Sequence, residues 1–262
     1  MRNRDVQDIS KEVTTGVLGQ KSFLPVSHPD YKYPTSPNPY WGKLQESSDL
    51  VYSDNKTEHN RGQWLSRFSS NALGQIPSPE LHVEIGCNAG HVIVEWAAAN
   101  PKGLYLGIDW KFKAIYRGAE KARKRHLENL LFLRAYAERL EFIFGPAEID
   151  HLYLFFPDPW PKKAHWKHRF VTTERLKNLA SLVKPGGTFE IKTDHPEYFE
   201  WMLEALSPCE SLWETLSVSR NLHEGNPLAH QLTMPAVTLF ERIFIKEGKP
   251  VHRILLKRRA NS

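Results

Sequence analysis

Five short apolar runs, separated by stretches of helical period, constrain this chain more than anything else in it. The runs are Leu81–Gly86 (LHVEIG), Tyr105–Asp109 (YLGID), Leu130–Ala135 (LLFLRA), Leu152–Phe156 (LYLFF) and Thr188–Asp194 (TFEIKTD). Leu152–Phe156 is unbroken rather than alternating, the pattern of a strand covered on both faces. The spacing predicts helices over Val92–Ala99, Lys111–Leu127, Glu138–Phe144, Glu174–Val183 and Pro196–Leu206. Strands alternating with helices in this way give a doubly wound, Rossmann-like α/β fold with a mostly parallel sheet. Further on, Thr238–Ile245 and Val251–Lys257, joined by Lys246–Pro250 with Gly248, read as a C-terminal antiparallel hairpin.

The 262 residues, 40% of them hydrophobic, suffice for one sizeable core with an arm. The arm is residues 1–57, polar and punctuated by prolines with Tyr31, Tyr33, Tyr40 and Trp41 between them, and the domain is 58–262. The arm reads as irregular, its aromatics packing on the domain's own surface. Near the domain's start, Trp64, Leu65 and Phe68 have a helix-like spacing. Lys and Arg exceed Asp and Glu by 35 to 30, a balance of +5 that favours polyanionic partners. Cys87 and Cys209 are far apart and have no metal-site spacing, so neither a disulfide framework nor a metal is expected. With no apolar leader and no run of ~20 apolar residues, a soluble cytoplasmic protein that makes no membrane contact is the expectation.

The turn after the first strand, Glu84-Ile85-Gly86-Cys87-Asn88-Ala89-Gly90, lacks the G-x-G-x-x-G that sets a pyrophosphate on a helix N-terminus, which disfavours a nicotinamide dinucleotide. Glu84 would repel a pyrophosphate and suits the sulfonium and amino group of S-adenosylmethionine. Asp109, ending the second strand, stands where a carboxylate accepts ribose hydroxyls. Either acid alone could simply cap a helix; paired across two strand ends they describe a cationic nucleoside without phosphate. The fourth strand stops at Pro157-Asp158-Pro159-Trp160, which leaves a proline-pinned carboxylate at the sheet's C-terminal edge. A basic run follows: Lys162, Lys163, His165, Lys167, His168 and Arg169, with Ala164 and Trp166 inside it. Asp194 closes the fifth strand. The helix over Lys111–Leu127 carries Lys113, Arg117, Lys121 and Lys124 opposite Ile115, Ala119 and Ala122, first of all an amphipathic helix with a solvated basic face.

Glu84 with its glycines Gly86 and Gly90, GID at Asp109, FFPDPWPKKxHxKxR over Phe155–Arg169, KTD at Lys192 and TxFE over Thr238–Glu241 together resemble the bacterial tRNA (guanine-N7-)-methyltransferase family, over about residues 60–257. The resemblance implies a class I methyltransferase fold, S-adenosylmethionine as donor, tRNA as partner, and N7 of the guanine at tRNA position 46 as acceptor. It also implies roles. Glu84, Gly86, Gly90, Asp109 and Tyr136 would hold the donor with Asp158, which is also the catalytic carboxylate. Lys162, Asp194, Thr238, Leu239, Phe240 and Glu241 would meet the substrate. Lys163, Ala164, His165, Trp166, Lys167, His168 and Arg169 would contact RNA. Asn88 stands at the family's middle glycine and tolerates a left-handed backbone. Tyr136 stands where the family places an acid against the adenine, so stacking or the backbone would have to replace it. Two other readings stay open: a methyltransferase of another nucleic-acid base, and a non-catalytic tRNA-binding relative.

Overall fold

The computed structural model describes residues 24, 25, 28, 38–53, 55–68, 74, 78–224 and 238–260. The strands in chain order are β1 (Val51–Ser53), β2 (Leu81–Ile85), β3 (Leu104–Asp109), β4 (Leu130–Arg134), β5 (Ile149–Phe155), β6 (Val183–Thr193), β7 (Trp213–Ser219) and β8 (His252–Arg258). The helices are α1 (Trp41–Glu46), α2 (Asn55–Glu58), α3 (Ile93–Ala99), α4 (Phe112–Lys124), α5 (Leu140–Ile143), α6 (Thr173–Leu182), α7 (Pro196–Leu206) and α8 (Leu239–Lys246). The strands form one 8-stranded sheet in the order β1-β4-β3-β2-β5-β6-β8-β7. Pairing is parallel from β1 across to β6, and β8 is antiparallel to both β6 and β7.

Every residue of β2, β3 and β4 is buried. Alternate residues go to opposite faces. Val83, Leu106, Leu133 and Leu152 pack with Leu176 and Leu179 of α6 and Phe199 and Met202 of α7. Tyr105, Phe132 and Tyr153 pack on the other face with Trp96 of α3 and Ile115 and Ala119 of α4. Two covered faces are why runs such as Leu130–Leu133 and Leu152–Phe155 are continuous rather than alternating. The buried Ile115, Ala119 and Ala122 bear out the amphipathic reading of α4.

From β2 the chain winds outward through β3 to β4 and then returns to β5 on the other side of β2. The turns leaving β2 and β5 therefore diverge, opening a crevice beyond the carboxyl ends of these strands. That switch point positions the site.

Three segments differ from the sequence reading. Within the stretch read as an irregular arm, most of which lies outside the described residues, α1 forms and β1 adds an edge strand through Val51↔Phe132 and Ser53↔Arg134. Such a three-residue strand has no period of its own; its pairing partner makes it. Tyr40 does pack on the domain, against Tyr116 at 5.5 Å between ring centroids. The helix-like Trp64 segment is a short 3-10 helix, Trp64–Arg67, anchored because buried Glu148 accepts the N–H groups of Gly62 at 2.8 Å and Trp64 at 2.7 Å. The antiparallel strands at the C-terminal end are present, but the first limb of the expected hairpin is helix α8, and β8 pairs instead with β6 and with β7, a strand the sequence reading missed. The reason is a capping box: Thr238 Oγ1 accepts the Glu241 N–H at 3.0 Å and Glu241 Oε2 accepts the Thr238 N–H at 2.9 Å. Lys192 of β6 then donates to Glu241 Oε1 at 2.9 Å, a bond that reaches from the sheet to the helix.

Candidate active site

One side of the crevice is built largely from backbone. After β2 the chain turns through Gly86 (φ 74°), Asn88 (φ 50°) and Gly90 (φ 64°). A Cβ at Gly90 would sit 3.0 Å from Val94 Cγ2 and 3.1 Å from Phe132 Cζ, so the turn lies tight on α3 and the sheet. Asn88 adopts the left-handed conformation that its residue type tolerates. Its N–H donates to Asp109 Oδ2 at 3.0 Å, and the Lys111 N–H donates to Asp109 Oδ1 at 2.8 Å. Asp109 is thus fixed in direction with one acceptor position on each oxygen still open, which suits a pair of vicinal hydroxyls.

Glu84 is 4% exposed, and among the described residues its Oε2 has no hydrogen-bond partner. Burial pushes its carboxyl up to about 8; the Ile93 N–H opposes this and the charge of Asp109 adds to it. A buried acid with an idle acceptor beside a second acid is poor company for an anion and a ready counter-charge for a cation. S-adenosylmethionine fits this pair: ammonium and sulfonium for Glu84, ribose for Asp109. Tyr136 follows β4 and stacks on Trp110, ring centroids 5.8 Å apart at 11°. Arg134 holds the same corner, its Nε donating to the Trp110 carbonyl at 3.1 Å. Trp110, 50% exposed and directly after Asp109, joins the candidate residues, its signal in the sequence being an aromatic next to a strand-end acid.

The other side is built from side chains. Phe156 (φ 51°) and Trp160 (φ 47°) both occupy the left-handed region, where bulky residues are strained, and they bracket Pro157-Asp158-Pro159. The Phe156 N–H donates to the Lys192 carbonyl at 2.8 Å, and its ring packs on Phe240 and Phe244 at 5.7 and 5.4 Å. Asp158 is exposed at the crevice edge. Because Phe155 pairs with Lys192, the Asp158 loop and half-buried Asp194 leave adjacent strand ends.

Beyond Trp160 a 3-10 helix, Lys163–His168, carries the basic run. Lys162, Lys163, Ala164, His165, Lys167 and His168 are exposed and Trp166 is half-buried. Arg169 is not part of that surface: it is 2% exposed and turned inward. Thr238 and Glu241 are likewise engaged internally, at 4% and 1% exposure, and it is Leu239 and Phe240, at 49% and 48%, that face outward. Burial pushes the Glu241 carboxyl up, but the charge of Lys192 and the Thr238 N–H outweigh it and hold the group below its ordinary value.

At the amino ends of the central strands β2 and β5, Glu80, His82 and His151 bring possible metal-ligand atoms within 4.8 Å of one another. The two imidazoles stack face to face, centroids 4.6 Å apart at 23°, so their in-plane lone pairs do not converge. His82 Nδ1 instead lies 3.0 Å from the Tyr153 hydroxyl, and burial pushes its pKa down to about 3. Among the described residues no helix is long and apolar enough to cross a membrane.

Residues 78–254 match a family model described as "Putative methyltransferase". The chain is 33% identical to a tRNA (guanine-N(7)-)-methyltransferase of Lachnoclostridium phytofermentans over 79% of this chain and 90% of the relative. It is 31% identical to the protein of that name from Bacillus subtilis, over 80% of this chain and 91% of that one. Among solved structures it is similar in fold to the 16S rRNA methyltransferase KamB, with a TM-score of 0.52 at 18% identity, covering 74% of this chain and 95% of that one.

Proposed function

The chain belongs to the tRNA (guanine-N7-)-methyltransferase family, and from that premise we propose that it methylates N7 of the guanine at position 46 of tRNA, in the cytoplasm, with S-adenosylmethionine as donor. The observation that carries the donor assignment is the buried Glu84, with its unused Oε2, beside the pre-aligned Asp109. When bound, the donor supplies an electrophilic methyl group on a sulfonium. Glu84 balances the donor's positive charge, Asp109 takes its ribose hydroxyls, and the Trp110–Tyr136 stack provides a face for its base.

Guanine N7 is an unprotonated lone pair, so its attack needs no general base. The residues' work is positioning and charge stabilisation. As the methyl arrives, positive charge spreads over the purine and its N1 and N2 protons become more acidic. A fixed carboxylate accepting from them is bound more tightly by the transition state than by the ground state. Asp158, held between two prolines, has that role in our reading, with Asp194 beside it. Lys162, Lys163, Lys167, His165 and His168 offer their exposed charges and donors to tRNA phosphates. Incubation of the protein with labelled donor and unmodified tRNA, followed by nucleoside analysis, tests the proposal: label in 7-methylguanosine supports it, and label in another nucleoside or none overturns it.

A further inference from the structure

Arg169 closes a basic run, yet it is the one member of that run with its charge buried. Its guanidinium carbon lies 4.5 Å from the ring centroid of Trp166, 4.9 Å from that of Tyr198 and 5.1 Å from that of Trp201. These three rings form a cage with a rigid back wall. Tyr198 and Trp201 stand on α7 and are tied to the strand-like segment after Arg169, the Tyr198 hydroxyl accepting the Val171 N–H at 3.1 Å and Trp201 Nε1 donating to the Val171 carbonyl at 2.8 Å. Trp166 comes from the basic loop itself and meets Trp201 edge-on at 5.5 Å.

From this cage Arg169 Nε donates to the carbonyl of Pro159 at 2.9 Å. Pro159 is the residue after Asp158, and neither it nor Pro157 has an N–H with which to fix the loop. The loop is fixed from outside instead. On one side of Asp158, the Phe156 N–H is bonded to the Lys192 carbonyl; on the other, the Pro159 carbonyl is bonded to Arg169. The backbone between these two bonds begins at left-handed Phe156, and left-handed Trp160 follows directly on the Pro159 carbonyl, a conformation that persists only where its surroundings enforce it. Arg169 also closes the 3-10 helix, its N–H donating to the Trp166 carbonyl at 3.0 Å.

We propose that Arg169 is a positioning residue for methyl transfer and not a tRNA contact: from its aromatic cage it holds the Pro159 carbonyl and thereby aims the Asp158 carboxylate. The inference rests on the reading of Asp158 given above. A guanidinium is suited to this because its planar face stacks on rings while its edge donates in a fixed direction. A lysine in the same cage keeps the charge and loses the direction.

The test compares Arg169→Lys, Asp158→Asn and the double variant in single-turnover methylation of unmodified tRNA, with tRNA affinity measured across a salt series. Arg169→Lys is expected to slow turnover on the order of tenfold or more, with tRNA affinity and its salt slope unchanged, as loss of aim rather than of binding requires. Added to Asp158→Asn, it is expected to cost almost nothing further, because residues acting through one another are not additive. A salt slope lowered by about one unit in Arg169→Ala would mark a phosphate contact and overturn the inference. So would a parental rate in Arg169→Lys, or a full additional loss in the double variant. A parental rate in Asp158→Asn would instead sink the catalytic reading itself. If substitutions at Arg169 do not fold, Trp166→Leu, which removes the loop's own wall of the cage, is expected to slow turnover with the salt slope intact; a parental rate there also overturns the inference.

Discussion

The two sides of the crevice solve different problems with different materials. The proposed donor side is buried and fixed mainly by main-chain hydrogen bonds: Asp109 is held by two N–H groups and Glu84 is buried in the strand that leads into the glycine turn. The proposed acceptor side is exposed and fixed by prolines, ring contacts and one arginine: Asp158 stands on a strained loop beside a solvated basic helix. A small cation is gripped best by an enclosed site that needs little rearrangement, whereas a large polyanion has to land on an open surface whose charges are already displayed. Affinity for donor and rate on tRNA should therefore be separable by mutation.

The largest expected separation is at Asp158. Asp158→Asn keeps the size and one acceptor but removes the charge, and turnover is expected to fall on the order of a hundredfold or more, as when a preorganised transition-state group is lost. Donor affinity by calorimetry should stay near parental. A loss explained wholly by weaker donor binding would break the division between the two sides and direct attention to Asp194.

Lys162, Lys163 and Lys167 come next. Replacing all three by alanine is expected to weaken tRNA binding by tens of fold at low salt and to reduce the log–log salt slope by about two to three units, since each phosphate contact contributes roughly one. Donor titrations of this variant should overlay those of the parent. An unchanged slope would show that tRNA lands elsewhere.

The donor side carries a pH signature of its own. Burial pushes the Glu84 carboxyl up to about 8, and in the proposed site its ionised form would receive the donor's cation. Affinity for S-adenosylmethionine is therefore expected to climb as pH rises toward 8 and to level off above it, by up to tenfold per unit, with proton release on binding near pH 7. Because this carboxyl is raised above its value of 4.5, its contribution to folding stability is full below about 4.5 and declines as pH rises toward 8. Glu84→Gln should bind the donor more weakly at high pH and with no climb. A climb that survives the substitution would assign the titration to another group.

The smallest effect is expected at the Thr238 cap. Thr238→Ala removes one half of the capping box and should lower unfolding free energy by about 1 kcal/mol, read in a denaturant titration. Turnover at a temperature where the variant is fully folded should change little, because Thr238 faces the helix and not the crevice. A turnover loss out of proportion to stability would return Thr238 to the substrate.

What the sequence made legible follows the same division. Glu84, Asp109 and the strands that carry them were readable because a buried parallel strand must be apolar throughout, so an acid in or at the end of one is conspicuous. Asp158 was readable because two prolines end its strand. Less visible was anything that depends on distant partners. Arg169 looks like its neighbours in a basic run, and two of the three rings that enclose it, Tyr198 and Trp201, lie some thirty residues on. The stretch Leu239–Lys246 is rich in aromatic and branched residues and passes for a strand; the T-x-x-E at its start was the helix signal that went unread. Strand β7 leaves Leu216 and Val218 exposed at 45% and 44%, so it has no clean buried face to announce it.

The most direct measurement of the central claim uses tRNA in which the guanine at position 46 alone is replaced by 7-deazaguanine. This exchange puts a carbon where the nucleophilic nitrogen stands and leaves the phosphates, the sugar and the other base edges in place. With labelled S-adenosylmethionine, the unsubstituted tRNA should take up one methyl group and the substituted tRNA essentially none, while both bind the protein with similar affinity. Undiminished methylation of the substituted tRNA would contradict the account, since the methyl group would then be going to another atom.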